Sequence, residues 1–304
     1  MTRLQRATSF LVLGLSLALA GAACGGESEG DGSGGAGAGS GGGGTGGTGG
    51  TGTPGVHQVF DHRHTALEQI PSSCLGVLTN GGFVFHYGHR SHGAQIIAGA
   101  ESIEATNPAF GFDAEYCSVP STTGVFRVWD GMIDNNSVQP EDYWDSEAGL
   151  TELRTVLGNN PGMRYSMWAW SYEIAEQTEE SVQKYLDTMS MLEEEFPDVT
   201  FIYMTGTAEE EYNGPNRAMR NQQIRDYCAE NGKILYDFED LDAWYNGERH
   251  TVMLEGVEVP KEHPQYDDPD PNGYDFTHTT QESCENKARA FWWMMASLNG
   301  CDLP

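Results

Sequence analysis

Positive charge is scarce in this sequence. Lys and Arg together number 16 against 45 Asp and Glu, a formal net charge of −29. A surface of that sign repels phosphate backbones, so nucleic acid is excluded as the expected partner. Membrane-spanning runs are missing too. The apolar stretch 10–20 covers eleven residues, against the roughly 20 that a bilayer crossing needs. C-x-x-C spacing is absent, and no Cys/His spacing suggests a zinc site built on cysteine.

What is present at the N-terminus reads as an address. Arg3 and Arg6 precede the apolar run, and Gly21-Ala22-Ala23 lead to Cys24. This is the layout of a signal peptide, and its end resembles a bacterial lipobox, with Gly21 where Leu is usual. The resemblance implies cleavage after residue 23 and lipid attachment at Cys24. No aspartate directly follows Cys24, which implies the outer membrane of the cell envelope. Cleavage after Ala22 by the ordinary signal peptidase, giving a secreted protein, is the alternative. Residues 24–55 are nearly all Gly, Ser, Thr and Ala. With no apolar surface to offset ordering entropy they are expected to form a flexible tether. The stretch 56–304 is long enough for one large α/β domain.

Setting Cys24 aside leaves Cys74, Cys117, Cys228, Cys284 and Cys301. In an oxidising compartment these allow two disulfides and one free thiol. Spacing does not fix the connectivity; Cys74–Cys117 is the favoured pair.

Within the domain, apolar β-rich runs alternate with helical periodicity. Strands are expected at 82–88, 125–129, 165–170, 199–204 and 234–238, and helices over 91–105, 146–157, 178–196, 215–231 and 282–298. Thr178 is placed to N-cap the third helix, whose core stripe is Val182, Tyr185, Leu186, Met189, Leu192 and Phe196. Asn231-Gly232 ends the fourth. This order predicts an α/β fold, a three-layer α/β/α sandwich around a mostly parallel, flavodoxin-like sheet. In such sheets the site lies beyond the carboxyl ends of the strands, so the loops after Tyr87, Trp129, Trp170, Met204 and Phe238 are the ones to inspect.

Two of these places carry chemistry. The first strand runs through Gly88-His89-Arg90-Ser91-His92-Gly93 into a helix, which sets a serine hydroxyl at a helix N-terminus. A serine there is more often an N-cap than a nucleophile. Near the other end, Asp275-Phe276-Thr277-His278 precedes the last helix. A glycine-flanked serine after strand one and an Asp-x-x-His before the final helix resemble the first and last blocks of the SGNH (GDSL-type) hydrolases. The stretches FVFHYGHRSHGAQI, MWAWS, FPDVTFIYMTG and HTTQESCENKARAFWW are similar to a secreted bacterial branch of that superfamily. The resemblance implies a cofactor-free ester hydrolase, with Ser91 as nucleophile, His278 as general base and Asp275 orienting it. It implies an oxyanion hole from the Ser91 N–H, Gly131 and an asparagine. The Gly-x-Asn-Asp block, sought after the strand ending at Met204, is replaced by Gly206-Thr207-Ala208, so Asn216, or Asn213, is the expected substitute. The expected substrate is an acyl ester of a glycan or small molecule, with an acylated polysaccharide suited to an envelope enzyme.

Other readings compete. The same fold could serve as a non-catalytic module that binds a glycan or peptide. His86, His89 and His92 lie three apart and could converge on a metal. Asp268, Asp270, Asn272 and Gly273 space oxygen ligands as a calcium loop does, though Thr279 stands where such a loop ends in Glu. Calcium there would brace the segment of His278. Trp129, Trp144, Trp168, Trp170 and Trp244 could stack on sugar rings, but core packing is the favoured reading for most of them.

Overall fold

The computed structural model describes residues 58–208, 211–267 and 277–304. The signal segment, Cys24 and the tether lie outside the described residues. So do Asp268, Asp270 and Asn272 of the calcium reading, and Asp275.

The domain is an α/β/α sandwich. Seven strands form one wholly parallel sheet: β1 (Gln58–Phe60), β2 (Val84–Gly88), β3 (Phe112–Tyr116), β4 (Phe126–Asp130), β5 (Met163–Trp168), β6 (Thr200–Met204) and β7 (Ile234–Tyr236), in spatial order β1-β7-β6-β5-β2-β4-β3. The run β4-β2-β5-β6-β7 is the flavodoxin-like order, and β3 and β1 extend its two edges. Side chains alternate across the pleat. Phe85 and Tyr87 of β2 enter the core on one face, beside α1 (Ser72–Asn80), α2 (Ala94–Thr106) and α8 (Gln281–Leu298). Val84 joins the opposite core, with α4 (Glu147–Asn159), α5 (Glu179–Glu195) and α6 (Gly214–Asn231). Each fully buried large apolar side chain contributes roughly 1.5–3 kcal/mol.

Local signals act as their chemistry requires. Thr178 accepts the Ser181 N–H at 3.1 Å and caps α5. Gly232 closes α6 in the left-handed region at φ 62°. Two short helices, α3 (Pro140–Tyr143) and α7 (Phe238–Ala243), follow β4 and β7. Between α7 and α8 stand two antiparallel ribbons, β8–β9 (Trp244–Tyr245, Glu248–Arg249) and β10–β11 (Thr251–Leu254, Val257–Pro260). Both turn on two residues of positive φ, Asn246-Gly247 and Glu255-Gly256, the pattern that matches strand twist.

α2 and α8 pack unusually close. A Cβ on Gly99 would lie 2.0 Å from the Cys284 carbonyl oxygen, so only glycine fits there. The tryptophans settle largely in the core: Trp144, Trp168, Trp170 and Trp292 are fully buried, and Trp129 and Trp244 half-buried. The disulfide expectation is corrected. Cys74 pairs with Cys301, tying the start of α1 to the tail beyond α8, whereas Cys117, Cys228 and Cys284 are free thiols. Cys117 sits past the edge strand β3, and residues 227 apart in sequence meet instead.

Candidate functional site

The carboxyl end of β2 carries the residues singled out in the sequence. Arg90, not Ser91, is the N-cap: Ser91 opens a 3-10 turn over Ser91–Gly93 that continues into α2, and Ala94 N–H returns to the Arg90 carbonyl at 3.3 Å. Ser91 is exposed. Its hydroxyl therefore stands where the first backbone N–H groups of a helix are left without intrahelical acceptors. The tight turn depends on Gly93, where a Cβ would meet the His89 Cβ at 2.4 Å.

The three histidines of this segment take separate partners. His86 is buried; its Nε2 lies 3.0 Å from the Gly131 carbonyl and its Nδ1 2.8 Å from Ser166 Oγ, which Tyr143 Oη approaches at 2.5 Å. Burial lowers its pKa to about 4, only partly offset by the Gly131 bond, so the ring is neutral. It donates to Gly131 and accepts from Ser166. His89 is the reverse case. Its Nδ1 faces the Arg90 carbonyl at 2.7 Å and its Nε2 the Asp130 carboxylate at 2.9 Å. The latter N–H is poorly aligned with the oxygen, so the contact is an ion pair more than a directed hydrogen bond. Burial works against a charged ring, and the carboxylate overrides it, raising the pKa. His92 lies with Nδ1 2.5 Å from Ser171 Oγ. The imidazoles do not converge on a shared ion.

His278 comes to this place from the far end of the chain. It is exposed, holds φ at 67°, and stacks on His92 with centroids 4.8 Å apart. Its two neighbours anchor it. The Thr277 carbonyl accepts from Gln95 Nε2 of α2 at 2.7 Å, and Thr279 Oγ1 donates to Glu262 at 2.7 Å. A left-handed conformation is uncommon for a non-glycine residue, though histidine is among those enriched in it; two buried threonines hold it here.

The oxyanion candidates are arranged differently from expectation. Gly131 follows β4 with φ at 99°, and its N–H donates to the Tyr87 carbonyl at 2.9 Å, inside the sheet. The Asn216 amide gives its hydrogens to the Ala175 and Gln177 carbonyls, 2.9 Å each. Both groups are engaged away from Ser91. For Asn216 the reason lies in strand order: β5, not β6, pairs with β2. The residues after Met204 instead meet a buried charge network, in which Thr205 binds Asp237 and Arg225 pairs with Asp237 and Glu239.

The loop after β5 supplies what sequence reasoning missed. Ser171 is fully buried, and its N–H donates to Glu173 Oε1 at 3.0 Å. Glu173 in turn pairs with Arg90 at 3.3 Å, whose guanidinium lies over the Tyr172 ring at 5.1 Å. Arg90–Glu173–Ser171–His92–His278 thus make a connected set that includes both chain neighbours of the exposed Ser91. The signal was the stretch MWAWS, which ends on Ser171. Neither a protein-family model nor a curated protein matches this chain.

Proposed function

We propose that the chain is a serine ester hydrolase of the cell envelope, with Ser91 as nucleophile and His278 as general base. The observation that carries this reading is the position of Ser91: an exposed hydroxyl at the helix start beyond the central strand β2, with the His278 imidazole stacked on its neighbour His92. The Ser91 Oγ attacks the ester carbonyl as its proton passes to His278, and the tetrahedral oxyanion forms against the N–H groups of the first helical turn. Collapse breaks the bond to the alcohol, which leaves with the proton from His278. Water, deprotonated by the same ring, then cleaves the acyl-enzyme. Asp275, outside the described residues, is assigned to orient His278 on the sequence resemblance alone.

An acylated glycan is the proposed substrate class, and the exposed Tyr172 beside Arg90 is the aromatic surface best placed to stack on a sugar ring. The N-terminal sequence supports export, with lipid attachment at Cys24. Among the described residues no helix is long and apolar enough to cross a membrane.

The test is hydrolysis of short-chain p-nitrophenyl esters by the full chain, beside Ser91→Ala and a chelator control held well below the unfolding temperature. Activity lost in Ser91→Ala and kept under chelation supports the proposal, whereas activity unchanged in Ser91→Ala overturns it. A second reading, a glycan- or peptide-binding module without turnover, is favoured by the engaged N–H of Gly131 and amide of Asn216. Binding of an acylated glycan with no release of acid would select it.

A further inference from the structure

A second constellation of ionisable side chains lies at the far edge of the sheet. β1 ends at Phe60 and runs directly into Asp61-His62-Arg63-His64. Parallel pairing of β1 with β7, continued by the Asp237 N–H to the Phe60 carbonyl at 2.8 Å, sets this turn against the start of α7, which carries Asp240. Asp61, His62 and Asp240 each bring one donor atom, all within 4.8 Å of one another. His64 adds a fourth, its Nδ1 3.0 Å from Asp61 Oδ1.

Two details distinguish this set from a surface ion pair. The His64 Nδ1 lies 3.2 Å from the Asp61 backbone N and 3.0 Å from Asp61 Oδ1, so this nitrogen is directed into the cluster. A proton on Nδ1 joins the two in the metal-free chain, and a bound ion would take its place. The His62 ring is held flat against Trp244, centroids 4.0 Å apart and planes 10° from parallel, with Nδ1 in contact with Asp240 Oδ1. That oxygen also accepts the His62 N–H at 3.0 Å. Asp61 and Asp240 are 8 % and 18 % exposed, and each imidazole 25 %. Of the cations near them, Arg63, itself 66 % exposed, contacts both Asp61 oxygens, and Arg225 is taken up by Asp237 and Glu239.

We propose that Asp61, His62, His64 and Asp240 form a binding site for a divalent transition-metal ion of the zinc class. Two imidazole nitrogens with two carboxylate oxygens are a donor set that zinc takes in tetrahedral geometry at about 2.0–2.2 Å, reached when His62 Nδ1 and Asp240 Oδ1 spread apart and the remaining donors close in. Calcium prefers six or more oxygens and fits poorly. Four strand spacings, about 19 Å, separate the ends of β1 and β2, so the ion is remote from Ser91. Its role is structural: it clamps the exit of β1 to α7 and stabilises only the folded chain. The proposal is independent of the hydrolase reading.

The experiment takes the full chain, stripped with chelator and returned to Zn²⁺, with bound metal measured by mass spectrometry and unfolding followed by heat. Expected are one zinc per chain and a rise in Tm on adding Zn²⁺ that calcium does not give. Asp240→Asn keeps an oxygen for the His62 N–H and preserves the shape of the turn, and it should weaken binding more than about 100-fold, beyond what loss of an outer-shell partner gives. His62→Ala should do the same, and in wild type the visible spectrum of bound Co²⁺ should be that of a tetrahedral N/O site. Zinc bound equally by wild type and both variants, no binding at micromolar metal, or an equal Tm rise with calcium overturns the proposal.

Discussion

The imidazole of His278 stacks on that of His92, centroids 4.8 Å apart and planes 20° from parallel, although 186 positions separate them in the chain. The His92 ring is itself held by Ser171, so the proposed general base rests on a platform fixed from β5. Removing that platform should misplace the base without removing it. Ser171→Ala is expected to lower kcat for ester hydrolysis by about 100-fold, the scale of a 1 Å misplacement, with KM little changed. Ser91→Ala should abolish turnover to below about one part in 10³. Steady-state kinetics on both variants checks this.

Gly99 lets the two helices that deliver these residues touch. α2 begins just after Ser91 and α8 just after His278, and a side chain at Gly99 would strike the Cys284 carbonyl at 2.0 Å. Backbone cannot yield as a flexible side chain does. Gly99→Val should therefore separate α2 from α8 and destabilise the chain by about 1–3 kcal/mol. Part of the activity should be lost even at temperatures where the variant stays folded. Denaturant unfolding and residual hydrolysis measure the two effects separately.

The elements legible in the sequence are those whose signal is local. β2 and β6 are continuous apolar runs, and Thr178 and Gly232 mark helix ends through their own side-chain and backbone chemistry. β1, three residues long, and β3, whose Asp113 and Glu115 interrupt its apolar character, carry no such signal and are strands because neighbours pair with them. The same division runs through the site. Ser91 and His278 could be marked from short motifs, but whether the N–H of Gly131 is free depends on its partner Tyr87 in another strand. Ser171 reaches His92 across 79 positions and Cys74 reaches Cys301 across 227. Strand order decides such contacts, and short motifs do not carry it.

His86 and His89 sit at the same strand end with pKa values shifted in opposite directions, which separates their effects on pH dependence. Burial depresses the folded pKa of His86 to about 4, against about 6.5 when unfolded. Between these values the unfolded chain binds the extra proton, so stability falls as pH drops through this window, by about 3 kcal/mol in all. For His89 the carboxylate of Asp130 overcomes burial and raises the folded pKa. Its contribution is complete below about 6.5 and is lost as pH rises through the raised value. Asp130→Asn should bring the His89 titration below 6.5, because burial remains when the carboxylate is gone. Imidazole NMR titration of the variant and wild type decides the sign.

The disulfide makes the last test, because it joins the two ends of the folded region. Cys74 opens α1, and Cys301 follows α8, whose apolar face fills one of the two cores. Without the link, the tail after α8 is held by backbone bonds such as that from the Cys301 N–H to the Ala296 carbonyl at 3.1 Å and by the partly buried Leu303. Closing so long a loop restricts the unfolded chain far more than the folded one, an effect of about 2–5 kcal/mol for native disulfides. Cys301→Ser, or wild type in reductant, should lower Tm accordingly. Reductant should then have no further effect on Cys301→Ser, since Cys117, Cys228 and Cys284 are already free thiols. A further fall in that variant would mean that one of these three is bonded in solution.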